Sequence, residues 1–195
     1  MNDTAQNIDN AFLVVRETYS NLNKLFSALD NECIENGFIN IIKDQKPFLR
    51  WKSDNEPFGW LINSFVKLYQ KKDSPRKDED SLSNEIRKDN NIYALEFNLE
   101  SSPVIRIAKF SFSSNSWTTS PTVSEHWVFY WPLKKLNYNE FEFSNDNDLQ
   151  KSTPKNETII KKFKKLKSVE YKEVLLTEIT SKNFSEKIFK VFDEL

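Results

Sequence analysis

The chain has 195 residues, 38% hydrophobic and 29% charged, and its 28 basic and 29 acidic side chains leave a formal net charge of −1. That balance excludes a global field drawing the protein onto nucleic acid or an anionic membrane, so any such contact must come from a local patch. One cysteine excludes an internal disulfide and a multi-thiolate zinc site, and two glycines exclude the phosphate loops and dinucleotide turns that need several.

Sixteen Phe, five Trp and six Tyr supply enough buried area for one domain over residues 1–195. No stretch approaches the roughly 18 apolar residues of a membrane helix. The start, Met-Asn-Asp-Thr-Ala-Gln-Asn, lacks the basic and apolar regions of a signal peptide. A soluble, cytoplasmic protein without membrane contact is expected.

The first element is a helix over about Asp9 to Asn36. Phe12, Val15, Tyr19, Leu22, Phe26, Leu29 and Cys33 recur at alternating spacings of three and four, which puts them on one stripe. Gly37 then ends it. The stripe suits a helix laid across a sheet, and homodimerisation through it is the alternative. Short strands are expected at Phe38–Ile42 and Phe48–Lys52, separated by Asp44-Gln45-Lys46-Pro47. Gly59–Lys71 fits helix and strand templates, and its aromatic and β-branched content favours strand.

Asp73–Asn91, with four basic and six acidic residues, reads as a mobile charged insert between strands. A hairpin follows. Tyr93–Leu99 alternates, Glu100-Ser101-Ser102-Pro103 turns, and Val104–Phe112 runs back, with Phe97 opposite Arg106 and Leu95 opposite Ala108. His126–Leu133, where Trp127, Phe129 and Trp131 alternate with Val128 and Tyr130, reads as a central strand. Tyr138–Phe143 adds an edge strand and Ser144–Thr153 a loop.

Pro154–Ser168 is expected to be a helix, Val174–Ile179 a strand, and the stretch from Asn183 onward a last helix carrying Phe184, Ile188, Phe189 and Phe192. The expected fold is α+β: about six mostly antiparallel strands packed by a long N-terminal helix and a C-terminal helix.

Chemistry has few carriers. His126 follows Glu125, but strand neighbours point to opposite faces, so Glu125 would not orient its ring. Cys33, flanked by Glu32 and Glu35, reads as a buried thiol. Glu96, Asn98 and Glu100 share one strand face and Glu140 and Glu142 another, a pattern that suits a hard cation or a solvated edge. Glu170-Tyr171-Lys172 contains the acid-x-Lys ending of one nuclease class, but its polar surroundings depart from that pattern. No metal or cofactor is expected.

Binding has three carriers. Lys155–Lys172 holds seven Lys and two Glu. There Lys161, Lys164 and Lys165 could grip phosphates, although without arginine or interleaved aromatics. Trp117 lies in Ser-Ser-Asn-Ser-Trp-Thr-Thr-Ser-Pro, where nothing local would bury it, and so reads as an anchor for a partner. The tryptophans, Trp127 and Trp131 among them, could line a pocket for a flat ligand. The leading expectation is a non-catalytic binding or protein-interaction domain with a protein partner. Association with nucleic acid through the lysine-rich helix, with or without carboxylate–metal cleavage, and a small-ligand sensor with an aromatic pocket are the alternatives.

Overall fold

The computed structural model describes residues 3–42, 48–52, 59–74, 86–87, 89–100 and 102–195. The expected turn at 44–47 and most of the charged insert (75–85 and 88) lie outside the described residues.

The chain opens with α1, Asp3–Glu35. Leu22, Phe26, Leu29 and Cys33 are buried, whereas Ile8, Phe12, Leu13 and Val14 are exposed, so only the second half of the stripe meets the body of the protein. Gly37 ends the helix at φ +80°, with open space where a Cβ would sit, so backbone conformation alone calls for glycine.

The strands are β1 (Phe38–Asn40), β2 (Leu49–Arg50), β3 (Ser64–Lys71), β4 (Asn91–Asn98), β5 (Val104–Phe112), β6 (Phe141–Asp146), β7 (Leu149–Pro154) and β8 (Leu166–Leu175). They form one antiparallel sheet in the order β1-β3-β4-β5-β8-β7-β6, and β2 also pairs with β3. The α+β class holds, with eight strands among the described residues rather than about six. Short helices α2 (His126–Tyr130), α3 (Glu157–Lys162) and α4 (Lys190–Glu194) complete the chain, α4 continuing a π turn at Ser185–Phe189. No helix among the described residues is long and apolar enough to cross a membrane.

Both faces of the sheet are covered. On one, Phe65, Tyr93, Leu95, Phe97, Ile105 and Ile107 pack against α1 and the C-terminal helix. On the other, Val66, Leu68, Ala94, Ala108, Phe110 and Val169 lie under Trp117, Val128, Phe129 and Leu133. One ion pair is buried beneath α1. Lys67 meets Asp30 at 2.8 Å, burial pushes its ammonium down in pKa, and Asp30 opposes that.

Two covered faces explain an error of register. Asn98 opposes Val104, so Phe97 faces Ile105 and Glu96 faces Arg106, one step from the expected pairing. The expected register gathers large apolar groups on one face, a criterion that fails when both faces are buried.

Three other expectations change. Pro154–Ser168 is helical only over α3. Lys164 and Lys165 take positive φ (56° and 59°), stop the helix and turn the chain into β8, which displaces the strand expected at Val174–Ile179. Ser144–Thr153 is a hairpin of β6 and β7, turning at Asn147 (φ 53°); being largely exposed, it needs no apolar alternation. His126–Leu133 is a helix followed by a 3₁₀ turn at Trp131–Leu133.

Candidate functional site: an aromatic cavity over a buried ion cluster

The helical conformation of His126–Leu133 decides what its aromatic residues do. In a strand, Trp127, Phe129 and Trp131 would share a face; in a helix, residues three and four apart do. Val128, Phe129, Pro132 and Leu133 are buried. His126, Trp127, Tyr130 and Trp131 form the other face and line a cavity of about 340 Å³. Trp51, Asn63, Ser64 and Glu100 complete its wall. Glu125 holds the entry to this segment, its carboxylate accepting from the Thr122 N–H at 2.9 Å.

The polar floor comes from the sheet. Ser64, at the first position of β3, places its Oγ 3.3 Å from Glu96 Oε1 and 3.4 Å from His126 Nε2. Glu96 is fully buried. Arg106 Nη1 meets its Oε2 at 2.6 Å, Lys134 Nζ meets its Oε1 at 2.9 Å, and Arg106 Nη2 reaches Glu173 at 2.9 Å. Glu96, Arg106 and Glu173 are consecutive cross-strand neighbours on β4, β5 and β8, so the ladder itself assembles the cluster. Burial pushes Lys134 down in pKa despite Glu96, and its ammonium lies 4.3 Å from the Tyr130 ring centroid. On the far side of Lys134, a second cavity of about 350 Å³ is lined by Arg106, Lys135, Gln150 and Tyr171.

Burial, with Lys134 in support and Glu96 opposing, lowers the His126 pKa to about 4. The imidazole is neutral at pH 7; the Ser64 hydroxyl donates its one proton to Glu96, so the contact with His126 Nε2 pairs them when that nitrogen carries the ring proton and donates to Ser64 Oγ. Catalytic triads place the carboxylate on the far nitrogen of the imidazole. Here Glu96 instead meets the hydroxyl, and both of its oxygens already hold cations.

A pH dependence follows. Unfolded, the imidazole takes a proton near its ordinary 6.5; folded, only near 4. Between these values the unfolded state binds more protons, so His126 makes stability fall as pH falls, by about 3 kcal/mol across the window. Above pH 6.5 it adds no slope. Urea unfolding from pH 7 to 4 should show this loss, and His126→Gln should remove it.

The binding residues expected from sequence are scattered. Trp117 is 7% exposed, stacked on Phe129 at 5.6 Å and edge-on to Phe112, so it is part of the core and not a surface anchor. Lys164 lies over Trp117 at 5.3 Å and pairs with Glu125 at 2.8 Å. Lys161 and Lys165 are exposed, but they sit on α3 and on the turn after it rather than along one long helix face. Of the acidic sets, Glu96 is in the ion cluster, Glu100 is at the cavity, Glu140 pairs with Lys162, and Glu170 pairs with Lys151. Among the described residues no three His, Cys, Asp or Glu side chains converge as metal ligands would. Cys33 is buried, and burial raises its pKa to about 11.

Asn63, Ser64, Arg106 and Tyr130 were missed as site residues, and Glu96 was read only as a carboxylate for a hard cation or a solvated edge. Their one sequence signal is the hairpin register that sets Glu96 against Arg106. Comparison with protein-family models, with curated proteins and with solved structures finds no match to this chain.

Proposed function

We propose that the protein binds a small organic ligand in the aromatic cavity. The observation that carries this is the composition of the cavity: four aromatic walls over a polar floor of Ser64 and His126, both buried. Ligand sites combine apolar walls with a few placed polar groups, and a volume near 340 Å³ is at the small end of their range. Trp131 remains 45% exposed, a large ring kept at the mouth instead of in the core.

The other readings have less support. Docking of a protein partner rests on the uncovered Ile8, Phe12 and Val14 of α1. Nucleic-acid association rests on exposed Lys161 and Lys165, while Lys162 and Lys164 are paired with Glu140 and Glu125.

Tryptophan fluorescence against a metabolite library tests the reading. A saturable change is expected for at least one compound. Trp131→Ala should weaken that binding about tenfold without moving the unfolding midpoint. Equal affinity in the variant would place the ligand elsewhere.

A further inference from the structure

We propose that the ligand of this cavity is a small quaternary ammonium compound, an inference that rests on the ligand-binding reading above. The charge of the lining points to a cation. Among the described residues no lysine or arginine lines the cavity, and Glu100 is the acidic side chain that does. That carboxylate is held in place: Asn63 Nδ2 donates to its Oε1 at 2.5 Å, and the Glu100 backbone N–H donates to Asn98 Oδ1 at 2.9 Å. No lysine or arginine among the described residues pairs with it.

Arg106 and Lys134, in the cluster at the polar floor, are offset by Glu96 and Glu173, and His126 is uncharged at neutral pH. The positive group left near the walls is Lys134, over the Tyr130 ring, and Glu96 offsets it; the described lining itself carries a carboxylate and no lysine or arginine. An anionic ligand would meet the Glu100 carboxylate and, among the described lining residues, no charged donor.

The walls distinguish a quaternary ammonium from a primary one. A primary ammonium needs three acceptors for its N–H groups, from the site or from water. A methylated nitrogen needs none, and gains from aromatic faces through its diffuse positive charge. Trp51, Trp127 and Trp131 supply indole rings to the lining. Tyr130 already carries an ammonium, since Lys134, which lines the second cavity, lies 4.3 Å from its centroid, the kind of contact a quaternary nitrogen would make with the indoles.

The test is calorimetric titration of the full chain with choline and, separately, with its neutral carbon isostere, in which tert-butyl replaces trimethylammonium. Choline is expected to bind about tenfold more tightly than the isostere. Glu100→Gln should weaken choline about fivefold and leave the isostere unchanged. Equal affinities, or a Glu100→Gln variant that binds choline as the wild type does, would overturn the cation inference. If choline fails while a neutral or anionic library compound binds in a Trp131-dependent way, the cation inference falls and the ligand-binding reading stands. If no compound of any charge binds, both fall.

Discussion

Glu96→Gln is expected to destabilise the fold by about 3–5 kcal/mol, the usual cost of removing one partner from a buried ion pair. The amide fills the same space but no longer neutralises Arg106 and Lys134, whose charges then repel one another in a dry site. Glu173 still reaches Arg106, but from a more exposed position. For a domain of this size the loss lowers the melting temperature by roughly 10 °C. The double variant Glu96→Gln with Lys134→Met should recover part of that loss, because it removes one of the two stranded cations. Thermal and urea unfolding of the two variants measure this. A single variant as stable as the wild type would mean that the cluster is not desolvated as described.

Phe26→Ala is the second large effect. Phe26 is buried among Phe48, Phe65 and Phe97, with ring centroids at 5.3, 5.6 and 4.8 Å, and it is where α1 grips the sheet. Truncating it loses transfer energy and leaves a cavity, about 3–5 kcal/mol in all. Phe12 lies on the same stripe and is 66% exposed, so Phe12→Ala should change stability by no more than about 0.5 kcal/mol. Equal losses would mean that α1 is held along its whole length.

That contrast shows how much was legible in the sequence. The spacing of three and four marks α1 and its apolar face, but it cannot say that the sheet ends near Leu22 and leaves Phe12 uncovered. The β5 limits follow from composition, since Val104–Phe112 is apolar and bounded by Pro103 and the polar run after it. The site was much less legible. An eight-residue apolar run such as His126–Leu133 satisfies helix and strand templates alike. What decides it is tertiary: the entry turn at Thr122–Glu125, and the packing of Val128, Phe129 and Leu133 on the sheet. Trp117 was misplaced for a related reason. Its neighbours in sequence are polar, but Phe112 and Phe129 cover it.

The measurement that tests the cavity most directly is the indole N–H spectrum of the isotope-labelled protein during titration with a ligand found by the fluorescence screen. The five tryptophans report from different places: Trp51, Trp127 and Trp131 line the cavity, Trp117 is in the core under the buried side of α2, and Trp60 is on the surface. Saturable shifts are expected at Trp127 and Trp131 with Trp117 and Trp60 unmoved. Shifts confined to Trp60 or Trp117 would put the ligand outside the cavity.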